Sequence, residues 1–177
     1  MKIFISLLLG LFLFAFAGEN LFAQHRNITV ILLRHAEKDK AEEEVSLDPS
    51  LSPEGRERAE RLVSVIGGYK PDAIFSSAFK RTRNTVAPLA SRGELRIMAQ
   101  YYDHRNLKEI ADLVMQGKFQ RIVIAGHNNT TPALANLLIG QEKYKALDES
   151  EYDKIWIIKI KRNKNKPNEI EEKVIQY

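Results

Sequence analysis

A three-layer α/β sandwich is the fold predicted for this chain of 177 residues, with a mostly parallel central sheet, helices on both faces and an antiparallel edge strand. Unbroken apolar runs rich in β-branched residues, at Ile28–Leu33 and Arg121–Ala125, mark strands covered on both faces. Segments with helical apolar spacing alternate with such runs, and glycine or proline punctuates the joins. The length fits one domain with a sizeable core. Hydrophobic and charged shares of 44% and 28% are those of an ordinary globular chain.

The first strand, Ile28–Leu33, leads into a polar, irregular stretch from Ala36 to Ser50 that reads as a loop. Ser52-Pro53-Glu54 then opens a helix with a hydroxyl cap, a proline at the first helical position and an acid in the first turn. Ala59, Leu62, Val63 and Ile66 form its apolar stripe, and Gly67-Gly68 ends it. Asp72–Ser76 is a short strand followed by a helix over about Arg81 to Arg92, and Leu95–Met98 is expected as a third strand. A helix over Leu107–Met115 stops at Gly117. Arg121–Ala125 is another buried strand, and Thr130 or Thr131 with Pro132 opens the helix behind it. Ile155–Ile158 and Glu172–Ile175 read as two strands joined by a basic turn.

The start of the chain predicts a compartment. Lys2 precedes an apolar run through Ala17, and small residues follow, the layout of a secretory leader. The run is shorter than the roughly 20 apolar residues of a membrane span. Cleavage after Ala23 is expected, with Ala17 as the alternative, so residues 1–23 form the leader and residues 24–177 the functional domain. A periplasmic or secreted protein results; membrane contact follows only if the leader is retained.

The formal net charge is +4, and Lys159, Lys161, Arg162, Lys164 and Lys166 hold much of the excess. No aromatic platform interleaves these cations, so they read as a solvated turn rather than a nucleic-acid surface. The absence of cysteine excludes disulfides, a thiol nucleophile and thiolate metal sites. No H-E-x-x-H, P-loop or G-x-S-x-G pattern occurs, and the H-x-E of a zinc deaminase lacks its cysteine pair. No metal and no cofactor are expected.

In open α/β sheets, ligands bind beyond the carboxyl ends of the strands. Three charged clusters fall there: Arg34-His35-Ala36-Glu37-Lys38, Ser76-Ser77-Ala78-Phe79-Lys80-Arg81-Thr82-Arg83, and Gly126-His127-Asn128-Asn129-Thr130. Guanidinium groups match phosphate oxygens as a fork, helix amino termini add backbone donors, and neighbouring cations keep an imidazole neutral and nucleophilic. Two histidines and at least two arginines are thus delivered to one rim, a set suited to a phosphorylated small molecule.

These residues carry a resemblance. Leu33-Arg34-His35-Ala36-Glu37 resembles the Arg-His-Gly/Ala signature of the histidine phosphatase superfamily, which includes the phosphoglycerate mutases. Leu51-Ser52-Pro53-Glu54-Gly55, the Ser76–Thr85 segment and Gly126-His127-Asn128 resemble that family's following motifs in the same order. The resemblance implies that His35 accepts the phosphoryl group, Arg34 and Arg81 hold it, and His127 stabilises it from another side, with Asn128 as a further phosphate contact. Arg83 falls off the pattern and reads as helix surface.

The proton donor is left open. Asp103, after the expected third strand, is the leading candidate, with Glu37 and Glu109 as rivals. Asn128 stands where some branches carry an acid, which speaks against the acid phosphatases with a His-Asp pair. The Lys38–Glu42 sequence and the short chain speak against a mutase. The expected activity is hydrolysis of phosphomonoesters or a phosphoramidate through phosphohistidine on His35. A phospho-ligand binding protein without turnover is the alternative, and the oligomeric state is open.

Overall fold

Strand β1 (Ile28–Arg34) occupies the middle of the sheet, and its side chains point alternately to two covered faces. The computed structural model describes residues 27–91 and 98–177, so the expected leader and most of the expected strand at Leu95–Met98 lie outside the described residues. Val30 and Leu32 join one buried cluster, Ile31 and Leu33 the other. This double burial is the physical reason that the run shows no polar alternation.

The remaining elements follow as α1 (Lys40–Glu43), α2 (Pro53–Ile66), β2 (Ala73–Ser76), α3 (Lys80–Ser91) and β3 (Gln100–Tyr101). Then come α4 (Leu107–Gln116), β4 (Arg121–Gly126), α5 (Thr130–Ile139), β5 (Lys154–Lys161) and β6 (Glu169–Gln176). The sheet order is β3-β2-β4-β1-β5-β6. The first four strands run parallel, β5 runs antiparallel to β1, and β6 pairs antiparallel with β5. The C-terminal hairpin therefore supplies the expected antiparallel edge.

Helices α2 and α3 cover one face through Leu62, Ile66, Val86 and Leu89. Helices α4 and α5 cover the other through Ile110, Val114, Leu134 and Leu138, with Trp156 buried in the same layer. Three layers result. Helix α2 starts as its sequence predicts: Ser52 accepts a hydrogen bond from Gly55 N at 3.1 Å, and Pro53 is the first helical residue. Gly117 and Gly140 close α4 and α5 with φ of 75° and 69°, a left-handed conformation that glycine adopts without a Cβ penalty.

The segment after β1 is more ordered than a plain loop. Asp39 caps the single turn of α1 by accepting from Ala41 N and Glu42 N. The chain then folds back so that Ser52 N donates to Glu37 O and Asp39 N to Ser50 O, each at 2.9 Å. This return seats the start of α2 against the residues that follow His35. Among the described residues, no helix is long and apolar enough to cross a membrane.

Candidate active site

The carboxyl ends of β1, β2 and β4 meet at an open pocket of about 280 Å³. Arg34 and Gly126 are register partners, and His35 N donates to Gly126 O at 2.9 Å. His35 and His127 therefore leave neighbouring strands side by side, with ring centroids 5.5 Å apart. Both rings are buried, and both line the pocket with Arg34, Arg81 and Lys38.

The environment of His35 defines its chemistry. Nδ1 lies 2.7 Å from the carbonyl oxygen of Ala36, which can only accept, so Nδ1 carries the proton and donates. Nε2 is left with its lone pair. Burial is the largest influence on the ring and lowers its pKa from 6.5 to about 3. The Ala36 hydrogen bond opposes that shift, while Arg34, Arg81 and His127 add to it. A neutral imidazole of fixed tautomer is the form able to attack phosphorus. Ala36 N donates to Thr85 Oγ1 at 2.9 Å, and that hydroxyl donates to Arg81 O at 2.7 Å, linking the loop after His35 to α3.

His127 also has a pKa near 3, lowered first by burial and then by Arg81, His104, Arg34 and Lys38. Its Nε2 lies 2.9 Å from Ser77 Oγ, which in turn lies 2.8 Å from Thr82 Oγ1. Its backbone N donates to Thr130 Oγ1 at 2.9 Å, at the start of α5. Gly126 permits this crowding: a Cβ there would fall 2.8 Å from Thr131 Oγ1 and 2.9 Å from Tyr102 Oη.

The two arginines are held differently. Arg34 is buried, and its NH1 group donates to the carbonyl oxygens of Asp148 and Glu151 at 2.8 and 3.0 Å. Its NH2 group binds a Glu149 oxygen at 2.9 Å, and its guanidinium lies over Tyr152 at 4.1 Å. Arg81 lies over the Phe79 ring at 4.2 Å, and its Nε and NH1 are buried without a hydrogen-bond partner. The Asp48 carboxylate lies 3.6 Å from NH1. A half-buried guanidinium with unused buried donors is suited to receive an anion. Asn128 also lines the pocket, and its amide donates to the second oxygen of Glu149 at 2.9 Å.

The expected acids sit elsewhere. Asp103, the leading candidate, is not among the residues lining the pocket; its carboxylate accepts from Arg105 N and Nε, both at 3.0 Å. Those contacts lower its pKa and favour the unprotonated form. The next residue, His104, lines the pocket instead. Glu37 binds Arg58 through both oxygens; burial raises its pKa, but the Arg58 hydrogen bonds, a backbone N–H and the charges of Arg58 and Arg61 together leave it lowered. Glu109 accepts from Asn106 on the exposed start of α4. Arg83, on α3, lines a different surface hollow.

Several lining residues were not anticipated. Lys38, Phe79, His104, Asn129 and Glu149 line the pocket, and Tyr152 faces His35 at 6.0 Å between ring centroids. Lys38, Phe79 and Asn129 lie within the charged clusters already singled out. Glu149 and Tyr152 arrive on a long connection before β5, and nothing in their local sequence signals that approach. Among the described residues, no group of three His, Cys, Asp or Glu side chains is placed to hold a metal ion.

Two imidazoles and two guanidiniums gather beyond the carboxyl ends of the parallel strands, which defines an α/β protein with a cationic pocket at that rim. The profile of the histidine phosphatase superfamily (branch 1) matches residues 30–123, and the chain belongs to that superfamily. Among solved structures, a SixA-like protein from Agrobacterium tumefaciens is 21% identical with a TM-score of 0.60, covering 84% of this chain and 97% of that one. A mycobacterial glucosyl-3-phosphoglycerate phosphatase is 18% identical with a TM-score of 0.56, covering 76% and 91% respectively. Phosphoserine phosphatase from Entamoeba histolytica is 16% identical with a TM-score of 0.54, covering 74% and 90%. At these identities the likeness is one of fold. A comparison with curated proteins gives no match.

Proposed function

We propose that the protein is a metal-independent phosphatase that hydrolyses small phosphomonoesters or a phosphoramidate through a phosphohistidine intermediate on His35. The observation that carries this reading is the Nδ1–H···O=C hydrogen bond of His35 to Ala36. It presents an unprotonated Nε2 in a pocket with Arg34, Arg81 and His127. In the first step Nε2 forms a bond to phosphorus while the phosphorus–oxygen bond to the leaving group breaks. In the second step water displaces His35 and releases phosphate. The guanidiniums and His127 stabilise charge on the phosphoryl oxygens as it develops.

The test is release of phosphate from 4-nitrophenyl phosphate in the presence of a chelator. Wild type is expected to turn over with chelator present, and His35→Ala to lose about three orders of magnitude or more. Equal turnover by the variant, or dependence on added metal, would refute the reading. Phosphate binding with no turnover of aryl or alkyl phosphates or phosphoramidates would favour a phospho-ligand binding protein. The basic start and apolar run of residues 1–23 support action outside the cytoplasm. Cell fractionation tests this, and activity confined to the cytosol would refute it.

A further inference from the structure

Breaking the bond to an alcohol leaving group leaves an alkoxide that needs a proton, and the carboxylates in and near the pocket are already paired. Glu37 accepts from Arg58, Asp103 from Arg105, and Glu149 from Arg34 and Asn128. His104 is in a different position. It lines the pocket, its ring lies 5.1 Å from that of His127 and 5.3 Å from that of Phe79, and its buried Nδ1 has no hydrogen-bond partner. It follows Tyr102, whose backbone N donates to Ser76 O and whose hydroxyl reaches Ala125 O, so the backbone before it is tied to the ends of β2 and β4. A histidine anchored in this way can deliver a proton repeatedly to one place, and an imidazole can both give and take one.

The geometry points to His104 as the general acid of this pocket, a proposal that rests on the phosphatase reading. As His35 Nε2 bonds to phosphorus, the electron pair of the breaking phosphorus–oxygen bond passes to the leaving oxygen. That oxygen takes a proton from the His104 imidazolium, which becomes neutral imidazole. In the second step the attacking water gives one proton back to His104, and its oxygen stays on phosphorus. The nitrogen–phosphorus bond breaks with its electron pair returning to His35. The groups facing His104 are His127 and Phe79, with Asp103 and Arg105 beside it in the chain and Arg81 over Phe79.

The consequence is a rate that depends on the leaving group. A nitrophenolate departs without a proton, whereas an alkoxide does not. His104→Gln, which keeps a polar side chain of similar reach, is expected to lower kcat/KM for glycerol 2-phosphate by about 10²- to 10⁴-fold. For 4-nitrophenyl phosphate the loss is expected to stay within about threefold, with phenyl phosphate between. A structural role for His104 would lower all three substrates alike. A uniform loss, no loss, or the same steep dependence in Glu149→Gln but not in His104→Gln would overturn the proposal while the phosphatase reading stands. A wild-type protein that turned over none of the three, nor a phosphoramidate, would overturn both.

Discussion

Gly55→Ala isolates the contact between α2 and the loop that follows His35. Gly55 is the third residue of α2, with its N–H bonded to the capping Ser52, and its φ is not in the left-handed region. For an isolated helix, alanine at such a position would be favoured by roughly 0.5–1 kcal/mol. The structure predicts the opposite. A Cβ on Gly55 would lie 2.3 Å from the carbonyl oxygen of Glu37 and 3.0 Å from its backbone nitrogen, roughly 1 Å inside ordinary contact. Both atoms are backbone, so relief requires the chain two residues beyond His35 to move. Overpacking of this kind costs about 1–3 kcal/mol, and a shift near 1 Å at a reacting group can cost about 10²-fold in rate. Urea unfolding and turnover of 4-nitrophenyl phosphate measure the two effects separately. Gly68→Ala is the control, since nothing lies within 4 Å of a Cβ built there. A Gly55→Ala protein as stable and as active as the Gly68→Ala control would refute the reasoning.

Thr85→Val keeps the side-chain shape but deprives the buried Ala36 N–H of its acceptor. A loss of about 1–3 kcal/mol in unfolding free energy is expected, with reduced turnover as the His35 loop loosens; unchanged values in both assays would show that the hydroxyl link is idle. Acid should destabilise the protein through its neutral histidines. The pKa values of His35 and His127 fall from 6.5 to about 3 on folding, so the unfolded chain takes up protons first as pH drops below 6.5. Their contribution is complete above pH 6.5 and declines toward pH 3, by up to about 1.4 kcal/mol per pH unit for His35 and less for the more accessible His127. Urea melts across this window should give a shallower pH slope for His35→Gln than for wild type, and equal slopes would count against a buried neutral His35.

The residues best read from sequence are those whose positions the sheet dictates. Arg34, His35 and His127 sit at or just past strand ends, and Arg81 lies in the first turn of the helix after β2, so their meeting follows from the parallel order of β1, β4 and β2. The cap, proline and acid of Ser52-Pro53-Glu54 mark the start of α2 in the sequence, but not the reason for Gly55, which is the backbone of Glu37. Asp103 was the harder case. Knowing that a loop follows a strand end does not say which of two adjacent side chains turns inward, and Arg105, two residues on, holds the carboxylate while His104 lines the pocket. Glu149 and Tyr152 depend on Arg34, whose donors bind the backbone of residues 148–151 across more than a hundred positions in sequence. Such a long-range contact leaves no periodicity to read.

The separation of the two central imidazoles is a property of the sheet before it is one of the site. Neighbouring parallel strands lie roughly 4.8 Å apart, and residues in register repeat that spacing along their length. Arg34 pairs with Gly126, so the next residues, His35 and His127, inherit it, and their ring centroids stand 5.5 Å apart. A slip of one residue between β1 and β4 would displace one histidine by about 3.3 Å and turn alternate side chains toward the opposite face. The apolar faces forbid this slip: Val30 and Leu32 belong to the α4–α5 layer, and Ile31 and Leu33 to the α2–α3 layer. The register that buries these side chains is therefore the register that sets the two rings side by side at the mouth of the pocket.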